Sequence, residues 1–383
     1  MEPHAGYDVV ILGGGPAGCA TALALRQLGV AGILVAEAGR YNASRVGESM
    51  PPDTRTLLQK LGVWEDFQRE EHDPCLGSCS SWGDDRLGYN DFLFNPLGNG
   101  WHLDRMRFDA FLARETVESG VELRTGTRFE HCAPVGSDGF SVRLAGDDGT
   151  TATVRAQFVV DATGMRASFV RRLGAKQRVL DRLICVYGFF ELLGSTEFSR
   201  LTMLEAVEYG WWYAAKLPNG RLAVAVASDP DLVKRGALHR RDHWLACLQE
   251  TQHLARQLAS SRFIEGSLLV CPALSCLLDY TAGHRWLAVG DAASAYDPIA
   301  AQGIYKALSD GVQAAPVIAV CLDGNADGLS AYHSAVATRF NEYVANRNFF
   351  YGVETRWAAS PFWARRQARR PAGGAADEVR AGH

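Results

Sequence analysis

The stretch ILGGGPAGCATALALRQLGVAGILVAE, Ile11 to Glu37, constrains the fold more than any other part of this chain. Val9, Val10 and Ile11 form a short apolar run that reads as a buried parallel strand closing at Leu12. Gly13, Gly15 and Gly18 follow in the pattern GxGxxG. A helical stretch then runs from Pro16 to Leu28, apolar at Ala20, Leu23, Ala24 and Leu28, and Gly29 ends it. Ile33 to Ala36 is a second apolar strand, closed by Glu37 and Ala38. In such a strand–turn–helix–strand unit of about thirty residues the glycines have separate tasks: a tight turn, close approach of backbone to a pyrophosphate, and close helix–strand packing. The pyrophosphate belongs at the N-terminus of the helix that Pro16 and Ala17 open. Glu37 lies nineteen residues past Gly18, where a carboxylate accepts ribose hydroxyls. A carboxylate there, rather than an arginine, argues against a 2′-phosphate. An ADP-containing cofactor is expected; a purely structural tight turn is the alternative.

FAD and NAD share this fingerprint, so a second element must decide. It is LAVGDAASAYDPIAAQGIYKALSDG, Leu287 to Gly311. A strand, Trp286 to Val289, ends in Gly290-Asp291, where the aspartate can hydrogen-bond a ribityl chain. Asp297-Pro298 breaks the chain, and Gln302, Gly303 and Ile304 open a helix. The positive end of that helix points at the N1/C2 carbonyl side of an isoalloxazine and favours anionic reduced flavin. An NAD enzyme has no use for this second site, so FAD is the expected cofactor.

With 383 residues, 47% of them hydrophobic, the chain can bury a large core, and two or three domains are expected. A net charge of -4 argues against a polyanion binder. Arg365, Arg366, Arg369 and Arg370 read as a solvated tail rather than a docking patch. The first residues carry no positively charged signal region, and apolar runs such as Ala314 to Leu322 fall short of the roughly 20 residues of a membrane helix. A soluble cytoplasmic protein is expected, with no nucleic acid and no membrane as partner. The nine cysteines are scattered, and the close pairs Cys75/Cys79 and Cys271/Cys276 lack the spacer of a zinc knuckle or redox motif. Unpaired thiols and no metal are expected.

Further along, Phe108 to Glu118 reads as a helix, and Val121 to Thr127, Phe140 to Leu144, Thr151 to Gln157 and Phe158 to Val160 as strands. Pro74 to Trp101 shows no long period. Alternation from Arg182 to Ser228 predicts an antiparallel sheet. Helical periodicity runs from Ile304 to Leu322 and from Leu329 to about Trp357.

The ordered set Gly13-x-Gly15-x-x-Gly18, Gly47-Glu48-Ser49, Asp104-Arg105-x-x-Phe108-Asp109, Ala162-Thr163-Gly164 and Gly290-Asp291 with Asp297-Pro298 resembles the flavoprotein monooxygenases of the glutathione-reductase-like FAD fold, a group that includes aromatic hydroxylases and flavin-dependent halogenases. The resemblance implies an α/β fold: a Rossmann-like FAD-binding domain of glutathione-reductase type, an inserted antiparallel-sheet substrate domain and a C-terminal helical region. The implied boundaries are 5–60, 100–178 and 275–322 for the FAD domain, 61–99 and 179–274 for the substrate domain, 323–366 for the helical region and 367–383 for a flexible tail. It also implies dioxygen as co-substrate, a C4a-hydroperoxyflavin, and Arg45, Glu48, Ser49 and Arg105 beside the cofactor.

Single-component hydroxylases carry Ala-Asp-Gly where this chain has Ala162-Thr163-Gly164. That departure resembles the halogenase side, where a separate flavin reductase supplies reduced flavin. Halogenases also carry a lysine in the substrate domain beyond the Gly-Glu element, but here no lysine stands between Lys60 and Lys176. Their Trp-x-Trp-x-Ile-Pro is replaced by Trp211-Trp212-Tyr213-Ala214-Ala215-Lys216. Both departures argue against halogenation. The segment Arg339 to Arg366 is similar to the flavoproteins that mature tryptophylquinone enzymes. Hydroxylation of a tryptophan within a partner polypeptide is therefore the leading expectation. A hydroxylase of a free natural-product aromatic and a non-catalytic FAD-bound assembly factor are the alternatives. Trp211, Trp212 and Tyr213 are candidates for substrate contact, and His102 and Asp297 for a catalytic base. The aromatic stripe Phe349, Phe350, Trp357, Phe362 and Trp363 is expected to pack against the FAD domain, with some members lining a partner-binding mouth.

Overall fold

The computed structural model describes residues 6–43, 45–194 and 198–368. The strand Gly6–Leu12 is central to the first sheet because every residue from Val9 to Leu12 is apolar, which suits burial on both faces. It pairs in parallel with Ile33–Ala36 on one side and Thr151–Asp161 on the other, Val9 opposite Ile33 and Phe158. Glu122–Arg124 and Trp286–Ala288 extend the parallel set outward. Thr151–Asp161 is one strand where the sequence suggested two; its outer half continues into a hairpin with Phe140–Gly146 and Thr127–Pro134. Val121 to Thr127 is likewise not one strand, since it is broken at the turn around Gly126. The helices Pro16–Gln27 and Gly303–Leu322 pack together on this sheet.

The second sheet runs Ser261–Phe263, Ile184–Leu192, Arg221–Ser228, Gly210–Lys216, Leu201–Val207, Gly77–Ser81, Leu87–Asp91. It is antiparallel as expected, except that Leu201–Val207 and Gly77–Ser81 lie parallel. The latter strand comes from the stretch that shows no period. Its polar, glycine-rich sequence, GSCSS, carries little hydrophobic alternation to read. Leu61, Val63, Trp64 and Phe67, expected with this sheet, pack instead into the core of the first, against Phe108 and Phe111.

The two faces of the second sheet bury different things. One carries Trp212, Val224 and Val226 under Trp244 and Leu248 of the helix Arg241–Gln249. The other carries Cys185, Tyr187, Trp211 and Ala225, part of it covered by Tyr351, Phe362 and Trp363 of the C-terminal helices Gly328–Val353 and Pro361–Gln367. The aromatic stripe therefore packs on the second sheet and not on the FAD-binding sheet, while Phe349 and Phe350 stay exposed. The first helix stops at Val353, short of Trp357. There the buried Glu354 carboxylate accepts from the Gly83 amide and from Arg356, and Pro361 starts a new helix.

Arg366 is buried, and Arg365, though about half exposed, is ion-paired rather than part of a loose tail. Arg366 pairs with Asp181 and Asp229, and Arg365 with Asp229 and Asp231. Gln367, expected to begin a flexible tail, ends the last helix and donates to the carbonyls of Tyr351 and Glu354. Arg369, Arg370 and the rest of that tail lie outside the described residues. All nine cysteines are free thiols. Among the described residues no group of His, Cys, Asp and Glu could hold a metal, and no helix is long and apolar enough to cross a membrane.

Candidate active site

A cavity of about 720 Å³ runs from the glycine turn to the second sheet, a volume within the range of cofactor and ligand sites. Its near end is built of backbone. Gly13 has φ +107°, and a Cβ there would lie 2.3 Å from the Ala162 carbonyl oxygen; one at Gly18 would lie 1.9 Å from that of Gly13. These two glycines exist so that the turn, the helix and the neighbouring strand can touch. Gly15 is different. It caps the helix Pro16–Gln27, and the nearest atom to a Cβ there would be an Arg45 guanidinium nitrogen at 3.8 Å. That open position, beside the unpaired amides of a helix N-terminus, has the room and the donors to cradle a pyrophosphate. Gly13, Gly15, Pro16, Ala17, Glu37 and Ala38 line the cavity, whereas Gly18 is packed behind it.

Glu37 accepts from the amides of Gly14 and Gly39, both at 2.7 Å. It thus ties the glycine turn to the end of the second strand, and the same carboxylate edges the cavity. Arg45 and Arg105 both reach Asp109, a buried carboxylate on the helix Arg105–Glu118, at 3.2 Å. Arg105 also donates to the carbonyls of Val46 and Gly47, so it shapes the loop that delivers Glu48 and Ser49. Asp109 was missed as a site residue, although it stands in the quoted Asp104-to-Asp109 motif; its role is to hold two cations at the cavity edge. Thr163 and Gly164 line the cavity, and the Thr163 hydroxyl donates to the buried Asp161.

At the flavin-facing loop, Asp291, Pro298, Gly303 and Ile304 line the cavity. Gly290 and Gln302 do not. The Gly290 amide is spent on Asp310, and Gln302 is exposed at the helix start. The N-terminus of Gly303–Leu322 is presented to the cavity all the same. The residues present therefore fit FAD: one helix N-terminus at each end, a carboxylate at the ribose position, and arginines between.

Asp297 lines the cavity but is not free to act as a base. Its carboxylate accepts from Arg347 Nε at 2.8 Å and from the Ile299 amide at 3.2 Å, and burial pushes its pKa up despite the arginine. His102 is not in the cavity. It is fully buried between strands, 2.9 Å from Thr202 Oγ1, with its pKa lowered to about 4 by desolvation.

The far wall comes from the second sheet. On the strand Gly210–Lys216, Trp211 and Tyr213 point into the cavity and Trp212 points away. Strand alternation permits nothing else. Trp212 packs on Trp244, ring centroids 5.0 Å apart, so it is a core residue and not a substrate contact. Trp211 Nε1 donates to the Tyr351 hydroxyl at 3.0 Å. Cys185 and Tyr187, on the strand Ile184–Leu192, complete the wall and were missed. Their alternation with Ile184 and Val186 was the signal, but it does not say which face holds the cavity.

The FAD binding domain family matches residues 6–347. LodB of Marinomonas mediterranea, named as an FAD-dependent oxidoreductase, is 29% identical over 94% of this chain and 97% of its own length. The flavin-dependent halogenase armH3 of Armillaria mellea is 30% identical over 88% of this chain and 72% of its own. Among solved structures, the peptidyl tryptophan dihydroxylase QhpG, essential for tryptophylquinone cofactor biogenesis, superposes with a TM-score of 0.75 at 25% identity, covering 97% of this chain and 80% of that one. A glycine cradle, paired helix N-termini and a family match spanning both sheets agree: the chain belongs to the FAD binding domain family and is an FAD-dependent oxidoreductase of the monooxygenase and halogenase group.

Proposed function

We propose that this protein hydroxylates a tryptophan residue held within a partner polypeptide, during maturation of a tryptophylquinone-type cofactor, with reduced flavin supplied by a separate reductase and dioxygen as co-substrate. The observation that carries the reading is the aromatic end of the cavity. Tyr187, Trp211 and Tyr213 stand beyond the flavin-facing loop, and among the described residues no lysine lines the space. The likeness to QhpG over nearly the whole chain supports the peptidyl substrate.

Bound FAD, once reduced, supplies the two electrons that activate dioxygen. An indole is itself nucleophilic, so the chain's task is to orient the ring and keep water out. Trp211 and Tyr213 offer flat faces for stacking, each fixed by a hydrogen bond through its polar end. The likeness to armH3 favours a second reading, halogenation of an aromatic substrate.

The test is mass spectrometry of the partner chain, coexpressed with and without this protein. One or two oxygen atoms gained on a single tryptophan peptide is the expected result. Free tryptophan should react poorly, since it lacks the remote peptide contacts that orient the ring. An unmodified partner beside efficient hydroxylation of a free aromatic, or chlorine or bromine in any product, overturns the proposal.

A further inference from the structure

Behind the aromatic wall a chain of hydrogen bonds leads out of the cavity. Glu48 lines the cavity yet is only 2% exposed. Its Oε2 accepts from the Tyr213 hydroxyl at 3.3 Å, and that hydroxyl lies 2.9 Å from Ser49 Oγ. Ser49 Oγ is 3.2 Å from Thr202 Oγ1, which is 2.9 Å from His102 Nε2. His102 in turn feels Asp73 and Lys216, a pair 3.2 Å apart whose side chains are each about a quarter exposed. Five elements supply these groups: the strand Ser49–Met50 with the residue before it, its partner Gly100–His102, the strand Asp73–Cys75 on the other side of that partner, and the strands Leu201–Val207 and Gly210–Lys216. Each intermediate link can donate and accept at once. Among the described residues, Glu48 Oε1 has no hydrogen-bond partner.

We propose that Glu48 accepts the proton lost from the substrate's ring carbon, and that Tyr213, Ser49, Thr202 and His102 carry it away from the cavity. The proposal rests on the hydroxylation reading above and adds the base that reading lacks. As the carbon–oxygen bond forms, the ring C–H bond breaks; its electron pair restores aromaticity and its proton goes to the Glu48 carboxylate. The second atom of dioxygen leaves as water, with both electrons drawn from reduced flavin.

Burial raises the Glu48 pKa, which suits a carboxylate meant to take a proton from carbon. The groups facing it are Arg105, which opposes that rise, Tyr213, and the strand neighbours Tyr187, Cys185 and Cys271. His102 stays neutral at ordinary pH and is the last hydrogen-bonded link, since its Nδ1 has no hydrogen-bond partner among the described residues.

The experiment uses the FAD-loaded full chain in two arms. In the first, infrared difference spectra between the wild type and Glu48→Gln isolate the Glu48 carboxyl. Its band should titrate above the ordinary glutamate range, and Thr202→Val, outside the cavity lining, should move that midpoint while Thr202→Ser restores it. No titrating band, or a midpoint indifferent to Thr202→Val, overturns the proposal. In the second arm, oxygen transfer is measured on the partner tryptophan and on free indole. Glu48→Gln should lower product formation about 100-fold with FAD content unchanged and hydrogen peroxide released instead. Thr202→Val should lower it about tenfold, an order smaller than loss of the base itself, and Thr202→Ser should recover it. Wild-type turnover by Glu48→Gln overturns the base. A wild type that oxidises neither probe overturns the hydroxylation reading, and the infrared arm still decides whether Glu48 and its chain share a proton.

Discussion

The two ends of the cavity are made of different material. The nucleotide end is backbone: the turn at Gly13 and Gly15, the first amides of Pro16–Gln27, and a carboxylate that binds two amides of its own chain. The far end is side chain: Trp211, Tyr213, Tyr187 and Glu48, from separate strands, with Asp297 of the flavin-facing loop held by an arginine fifty residues away. A backbone-built end depends on what is absent, a Cβ at one glycine, and can be spoiled without unfolding the protein. A side-chain-built end depends on what surrounds it, and fails with its supports.

The largest effect expected from that difference is at Arg347. Its guanidinium is 1% exposed and pairs with both Asp297 and Asp181, with the Tyr351 ring 4.5 Å away. Arg366 remains for Asp181, but among the described residues Asp297 has no second cation in contact. Arg347→Leu should cost about 3–5 kcal/mol, the usual result of leaving a buried carboxylate without its partner. Adding Asp297→Asn should recover much of it if the pair is the cause. Urea denaturation of the three variants measures this; equal stability of wild type and Arg347→Leu would show that the far end does not depend on its charges.

The same difference explains what could be read from the sequence. The glycine turn, Glu37 and the Gly290-Asp291 element are legible because one short segment both forms the structure and makes the site. Trp211 and Tyr213 were legible only as members of a run of three, since alternation separates them from Trp212 without saying which face is the cavity. The roles of Glu48, Thr202 and Asp297 arise where residues far apart in sequence meet, and no local pattern encodes those meetings. His102 was named as a base for its chemistry; burial against Thr202 removes it from direct contact.

Acid should loosen the far end first. His102 lies behind it, His72 comes just before the strand Asp73–Cys75 that pairs with the strand of His102, and burial lowers each pKa from 6.5 to about 4. As pH falls through 6.5 the unfolded chain takes up a proton that the folded chain refuses until about 4. Stability is therefore lost across that window, by about 3 kcal/mol per histidine at 1.36 kcal/mol per pH unit. Neither ring nitrogen of His72 has a hydrogen-bond partner among the described residues, and the ring packs on Phe67 and Phe108. His72→Leu should remove its share of the loss, as read from urea midpoints at pH 7 and pH 4. An unchanged acid loss in this variant would place the titration elsewhere.

The smallest effect, and the cleanest separation of the two ends, is at Gly15. Its φ of −75° and ψ of −175° suit a β-branched residue, and nothing lies within 3.8 Å of the added Cβ. Gly15→Val should therefore leave the melting temperature of the FAD-free protein within the change expected of a surface substitution, about 0.5 kcal/mol. The branched side chain would nonetheless stand where the pyrophosphate approaches the helix N-terminus. FAD affinity should fall at least about 100-fold, or about 2.8 kcal/mol. Fluorescence titration with FAD and thermal melting of the FAD-free chain measure the two quantities on one sample. Wild-type affinity would remove the pyrophosphate from this turn. A large loss of stability without FAD would show that Gly15, like Gly13 and Gly18, is there for packing.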